Sequence, residues 1–263
     1  MSTAASLDSP ARHRRSGKAI FNALFRKQNY IAIYHAFRRC EQPVDFLKRY
    51  IANGGSYPTE VKLRSPIGAL TVTTYSPDDI QTINEIFFRG DYESESNNRV
   101  IVDFGSNIGI SALYFLSRNF DSRVYCFEPV PGNVERLKKN LAAFDGRYTI
   151  TETAVGEADG AVQFGWELTG RYGGVGRETG TWITVPCRDS NAILSDIIAA
   201  HGHIDLLKID IETLEKIVTE RIPPAIAAKI TALVVEYPFT GNPLAATHSM
   251  ERRNYVTAFA ARH

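Results

Sequence analysis

From Arg99 to Pro238 the chain alternates short apolar runs with stretches of helical period, and no other feature restricts its fold as strongly. The runs are RVIVDFGS from Arg99, RVYCFEP from Arg123, YTITETAVG from Tyr148, HIDLLKIDIE from His203 and TALVVEYP from Thr231. Helical patterns fall near 109–119 and 131–143, before His203 and again after Glu212. Strands separated by helix-length segments cannot pair through tight hairpins. They predict an α/β fold with a mostly parallel central sheet, right-handed crossovers and helices on both faces.

A chain of 263 residues accommodates one such core plus an extension. Apolar residues at 44% and charged residues at 22% fit a packed globular protein and exclude a disordered or fibrous class. Cys40, Cys126 and Cys187 are far apart and lack C-x-x-C spacing, which suits a reducing, cytoplasmic setting. No apolar run has transmembrane length. Net charge is only +1, yet the first 50 residues carry ten Lys/Arg against three Asp/Glu, so the basic excess sits at the N-terminal end.

Residues 1–16 read as a flexible basic tail and 17–95 as a helical and hairpin extension to a main domain at 96–263. Ile20, Phe21, Leu24, Phe25, Ile31, Tyr34 and Phe37 recur at helical spacing, and a second short helix is predicted over Val44–Ile51. Val61–Tyr75 predicts a hairpin turning at Ser65–Gly68. Ser76-Pro77-Asp78-Asp79 predicts a helix start, with Ser as cap and Pro at the first position, and Gly90 closes that helix.

The first strand of the alternating region ends in Asp103-Phe104-Gly105-Ser106-Asn107-Ile108-Gly109 and leads directly into a helix. Ligands of open α/β sheets bind at this end of the strands. Gly105 permits unusual dihedrals and close backbone approach, Gly109 permits tight packing of the helix start, and Glu128 ends the next strand, where a carboxylate can accept both ribose hydroxyls of an adenosine. The spacing D-x-G-x-x-x-G lacks the third glycine with which dinucleotide folds meet a pyrophosphate. S-adenosylmethionine has no pyrophosphate, so the candidate cofactor residues are Asp103, Gly105, Ser106, Asn107, Gly109 and Glu128. A bare strand-to-helix turn is the plainer reading of each piece alone. Gly174-Val175-Gly176-Arg177-Glu178-Thr179-Gly180 imitates a phosphate loop, but a strand-like TWITVPC follows where a helix is required, and residues 165–180 read as a mobile loop near the acceptor.

With these segments in order, the sequence over about residues 76–238 resembles the FkbM family of methyltransferases. VIVDFGSNIG, YCFEPVPGNVERLKKNL, TAVGEADGAVQF, IDLLKIDIETLEKIV and LVVEYP carry the likeness. The resemblance implies a Rossmann-like methyltransferase that uses S-adenosylmethionine, adds Ala154 and Val155 to the cofactor set, and implies O-methylation of a hydroxylated small molecule, with sugars, oligosaccharides and glycoconjugates as the acceptor class. Two departures stand out. The family commonly has glycine where this chain has Thr213, so an altered backbone is expected there, and only 25 residues follow Pro238, enough for a loop and one helix, which predicts a truncated sheet edge.

Lys208, Asp210 and Glu212 alternate along the fourth core strand and would share one face if it stayed regular. Asp210 can engage the donor's amino group or orient the acceptor, while Glu212 or Glu236 can take the hydroxyl proton; structural ion pairing through Lys208 is the alternative. The catalytic candidates are therefore Lys208, Asp210, Glu212 and Glu236, with Asp210 also in the cofactor set. No metal is assigned, because His201, His203 and Asp205 precede the strand, on the side away from the active face. No nucleic-acid partner is expected. The N-terminal helices suggest a homodimer contact, with peripheral membrane contact as the alternative. The competing functions are a nicotinamide-dependent oxidoreductase on a similar fold and a non-catalytic protein that binds a membrane surface or a partner.

Overall fold

A computed structural model describes residues 27–166, 173–253 and 255–262. The first described element is helix α1 (Lys27–Arg39), followed by α2 (Pro43–Ala52), whose Pro43 occupies the first turn. Ile20, Phe21, Leu24, Phe25 and the tail at 1–16 lie outside the described residues. On α1 the apolar residues of the predicted pattern do not face inward: Ile31, Tyr34 and Phe37 are exposed, and Ala32 and Ala36 are buried instead. Small side chains let the helix backbone approach its neighbours closely, and that contact outweighs the larger apolar area on the other face.

Strands β1 (Thr59–Ser65) and β2 (Gly68–Thr74) form the predicted hairpin, in register from Thr59 opposite Thr74 to Ser65 opposite Gly68. Helix α3 (Pro77–Ile83) starts with a complete capping box. Ser76 Oγ accepts from Asp79 N, and the Asp79 carboxylate accepts from Ser76 N. The helix widens into a π-helical turn over Asn84–Arg89 and ends at Gly90, whose φ of 75° is left-handed.

The sheet elements are β3 (Val100–Phe104), β4 (Arg123–Phe127) and β5 (Tyr148–Thr151), interleaved with α4 (Ile110–Leu116) and α5 (Pro131–Leu141). A second, four-stranded sheet comprises β6 (Ala154–Gly156), β7 (Gly160–Trp166), β8 (Gly173–Val175) and β9 (Thr181–Asp189), in the order β6-β9-β7-β8. Then follow α6 (Ser190–His201), β10 (Ile204–Ile209), α7 (Glu215–Glu220), α8 (Pro224–Ala227), β11 (Ile230–Val235), β12 (His248–Arg253) and β13 (Val256–Ala261). The central sheet has seven strands in the order β12-β13-β11-β10-β3-β4-β5. The five strands from β11 to β5 run parallel to their neighbours, and β13 is antiparallel to both β11 and β12.

This corrects the expectation of a truncated edge. The last residues form two strands rather than a loop and a helix, and they complete the sheet. Arg253 already pairs with Val256, so the two strands need none of the length that a helical crossover would take. The segment 165–180 is corrected too: Gly173–Val175 pairs with Phe164–Trp166, so part of it is sheet, while residues 167–172 lie outside the described residues.

Alternate residues of β3 feed two apolar layers. Ile101 packs with Leu206 and Val234 against α4 and α5, whereas Val100, Val102 and Phe104 pack with Leu207, Ile209 and Leu233 against α6 and α7. The first layer also takes in Ala32, Phe46, Leu63 and Phe88, so the N-terminal extension shares one core with the sheet. Among the described residues, no helix is long and apolar enough to cross a membrane.

Candidate functional site

At the carboxyl ends of β3, β4, β10 and β11 the chain encloses a cavity of about 400 Å³. One wall is the turn after β3. Gly105, Asn107 and Gly109 have φ of 80°, 48° and 87°, a conformation that glycine adopts freely and asparagine tolerates. Gly105 is required by protein backbone rather than by a ligand: a Cβ there would lie 1.7 Å from the Asp210 carbonyl oxygen. At Gly109 a Cβ would press to 3.1 Å from Leu137, so α4 starts directly against α5.

Glu128 is buried at the end of β4 and is gripped by its own surroundings. Oε1 accepts from Val130 N at 3.0 Å and Asn133 Nδ2 at 3.1 Å, and Oε2 accepts from Asn107 N at 2.9 Å. A carboxylate has about four acceptor positions, so this arrangement leaves capacity for one further hydroxyl, not the two that the sequence suggests. Burial pushes its carboxyl up to about 7, against the opposing pull of those three donors. Around it, Ile108, Phe127, Val130, Ala154 and Val155 supply apolar surface, so these walls suit a planar base and ribose. Ser106 faces inward and bonds its Oγ to the Asp103 carbonyl.

Asp103 does not line the cavity. Its carboxylate lies beneath the turn, accepting from Ser111 Oγ at 2.6 Å and lying 3.1 Å from Lys208 Nζ. Lys208 is only 2% exposed; Nζ also donates to Gly105 O at 2.6 Å and lies 3.3 Å from Asp210. Burial alone would lower its pKa, but the charges of Asp103 and Asp210 prevail and hold it well above the usual lysine value. Lys208 is thus a fixed cation joining two strand ends, and it holds its proton too tightly to act as an acid or base.

The other wall gathers Asp210, Glu236 and a residue that sequence reasoning missed, Tyr92. The Tyr92 hydroxyl donates to Asp210 at 3.0 Å and lies 3.3 Å from Glu236. Both carboxyl groups are thus within hydrogen-bond reach of one hydroxyl. Asp210 is held below its ordinary value despite burial, because Lys208 stands behind it. The Asp210 charge in turn drives Glu236 far above the carboxylate range. Burial and the same two acids push the Tyr92 phenol up as well. At neutral pH the cluster therefore holds Asp210 ionised, with Glu236 and Tyr92 protonated. Tyr92 follows Gly90 in an irregular segment with no periodicity, so no pattern in the sequence marks it.

Glu212 does not join this group. The alternation of Lys208 and Asp210 ends with β10, and Glu212 (φ 53°) and Thr213 (φ 99°) take the left-handed conformation. Glu212 turns to an ion pair with Arg177. The expected change of backbone at Thr213 is corrected here, since threonine occupies a conformation that favours glycine. Glu215, also missed, staples the turn: its carboxylate accepts from Ile211 N at 3.0 Å and Thr213 N at 3.1 Å. At the opposite end of β10, Asp205 accepts from Arg99 N and Val100 N and lies 3.1 Å from His203, while His201 meets the Tyr125 hydroxyl.

Residues 103–218 match the family described as the methyltransferase FkbM domain. The chain is 33% identical over 70 residues to the 2-O-methyltransferase NoeI of Sinorhizobium fredii, covering 27% of this chain and 28% of that one. It is 26% identical over 176 residues to the AMB antimetabolite synthetase AmbE of Pseudomonas aeruginosa, covering 52% of this chain and 8% of that one. The chain thus spans less than a third of either relative's length. A solved O-methyltransferase family protein from Burkholderia thailandensis aligns at a TM-score of 0.40 and 10% identity, over 71% of this chain and 59% of that one.

Proposed function

We propose, on the premise that residues 103–218 of this methyltransferase are its FkbM domain, that the protein is an S-adenosylmethionine-dependent O-methyltransferase acting on a hydroxyl of a small molecule, with a sugar or glycoconjugate as the acceptor class. The observation that carries this reading is the Tyr92 hydroxyl within hydrogen-bond reach of both Asp210 and Glu236, in the same cavity that Glu128 lines. When bound, S-adenosylmethionine supplies an electrophilic methyl group on a sulfonium. Glu128 and the apolar wall of Ile108, Val130, Ala154 and Val155 suit its adenosine, and the Gly105–Gly109 turn would hold the remainder.

Asp210 is a hydrogen-bond acceptor held at the strand end by Lys208, so it can orient an acceptor hydroxyl and take its proton. Lys208 makes it a weak base. That weakness is tolerable, because a hydroxyl oxygen becomes strongly acidic as its new bond to carbon forms, and the proton then passes readily to a carboxylate. The sulfur–carbon bond breaks as the oxygen–carbon bond forms, its electron pair staying on sulfur, so the products are a methyl ether, S-adenosylhomocysteine and a protonated carboxyl. Tyr92 gives its one proton to Asp210 and holds it in place, with Glu236 beside the same hydroxyl. Alignment supplies up to roughly 7–11 kcal/mol in favourable systems, and a placed base about 10²- to 10⁴-fold.

The test is methyl transfer from labelled donor to a panel of sugars, oligosaccharides and glycolipids, read by the mass gained. Asp210→Asn should lose about 10²- to 10⁴-fold in kcat and keep S-adenosylhomocysteine affinity if Asp210 serves the acceptor; a matching loss of affinity would place it on the donor's amino group instead. Wild-type turnover in that variant would remove Asp210 from the reaction. Transfer to nitrogen or carbon acceptors alone would overturn the O-methylation reading.

A further inference from the structure

We infer that Thr213 is a positioning residue: its hydroxyl and its left-handed backbone latch the edge of the small sheet onto the turn that carries Asp210, and so set one wall of the donor pocket. The inference rests on the donor-site reading above.

Two consecutive residues other than glycine at positive φ are costly, and a β-branched one at 99° is especially so. Such strain persists only where the surroundings over-determine it. Here three contacts arrive, one from the α7 side and two from β8. The Glu215 carboxylate takes the amides of Ile211 and Thr213 from the α7 side. Thr213 Oγ1 donates to the Val175 carbonyl of β8 at 3.2 Å. Gly174 lies so close that a Cβ there would stand 2.5 Å from Glu212 O and 3.1 Å from Thr213 Cγ2.

The latch matters because of what β8 is attached to. β8 pairs with β7, whose Phe164 and Trp166 line the cavity, and β7 reaches β6 through β9, where Ala154 and Val155 line it too. This hydroxyl, beside the Arg177–Glu212 ion pair, therefore ties the outer edge of that sheet to the end of β10. Glycine at this position would keep the turn without strain but would lose the hydroxyl's share of the tie. Threonine accepts the strain and gains it.

The experiment uses the full chain as wild type, Thr213→Ser, Thr213→Val and Thr213→Gly, with three readouts: amide exchange across 173–177, S-adenosylhomocysteine affinity by calorimetry, and thermal unfolding. Val and Gly should exchange faster at 173–177 and bind about three- to tenfold more weakly, the range one lost hydrogen bond supports. Ser should match wild type in both. Gly should unfold at or above the wild-type temperature, since relieved strain offsets lost order. A residue that served the fold alone would lose binding and unfolding temperature together. Wild-type exchange and affinity in both Val and Gly, or failure of Ser to restore them, overturns the latch. If Val does not fold, Gly decides. If wild type itself ignores S-adenosylhomocysteine, the donor reading fails, and the exchange rates alone judge the latch.

Discussion

Two turns meet at the floor of the cavity, and they solve one problem in opposite ways. The turn after β3 needs positive φ at three positions and places Gly105, Asn107 and Gly109 there, residues for which that conformation costs little. The turn after β10 needs it at two and places Glu212 and Thr213 there, so it must be held by Glu215, by Arg177 and by β8. The first turn takes its conformation at little cost, whereas the second holds a costly one only through its neighbours. They are joined by Lys208, which donates to Gly105 O and pairs with Asp210.

Lys208→Met breaks that junction and has the largest expected effect. It strands the Asp103 and Asp210 carboxylates in the interior, and breaking a buried pair from one side costs about 3–5 kcal/mol. Urea denaturation measures the loss. A loss below about 1 kcal/mol, the value of an exposed pair, would show that water reaches the site and that the two turns are not coupled through this cation. Next comes Gly105→Ala, which forces a Cβ against the Asp210 carbonyl at a left-handed position and should cost roughly 2–4 kcal/mol through strain and backbone displacement. Donor affinity should fall with it, because the same backbone shapes the pocket.

These two positions also mark what the sequence made readable. The glycine spacing after a strand identifies the first turn, because closely spaced glycines at a strand end signal a backbone that side chains would obstruct. The alternation of runs yields the parallel sheet for a similar reason, since period and length are local signals. The second turn is opaque because its conformation is imposed by partners distant in the chain. Val175 lies 38 residues from Thr213, and nothing at position 213 announces that contact. Tyr92 meets Asp210 across 118 residues and Glu236 across 144, from a segment with no period. Alternation put Glu212 beside Asp210, and the left-handed turn, which alternation cannot see, removed it. The sheet edge was misjudged on length alone, because β12 and β13 pair from Arg253 opposite Val256 and need no helix between them.

Glu215→Ala tests the dependent turn directly. Two backbone amides lose a charged acceptor, and a loss of about 1–3 kcal/mol is expected, with faster amide exchange confined to 211–215 and 173–177. If exchange rises equally around Gly105–Gly109, the two turns respond as one unit and the contrast between them fails.

Glu128, at the end of β4, bonds the first turn through Asn107 N and gives it a pH signature. Burial raises its carboxyl to about 7, so the proton is favoured in the fold. The stabilisation from that proton is complete below the ordinary glutamate range and disappears as pH rises through about 7. A donor whose hydroxyl bonds to the carboxylate prefers the ionised form, so its affinity should move the other way. Below about pH 7 it should weaken by up to tenfold per unit, and it should level off above. Calorimetry with S-adenosylhomocysteine between pH 5.5 and 8.5, at roughly half-unit steps, reads this slope. The Glu128→Gln variant should bind weakly and flatly, and an unchanged slope in it would assign the titration to another group.

The smallest effect separates the turns most cleanly. Asn107 stands at a φ of 48° with its amide donated to Glu128. Asparagine tolerates this conformation, and the hydrogen bond comes from the backbone, so Asn107→Gly keeps both. Greater freedom in the unfolded chain opposes the change and easier backbone geometry favours it, leaving stability within about 0.5 kcal/mol of wild type. At Thr213 the same kind of substitution should leave stability as high while weakening donor binding. Denaturation and calorimetry on the two glycine variants side by side therefore decide whether the residue in the second turn was placed there for its side chain or merely endured for its backbone.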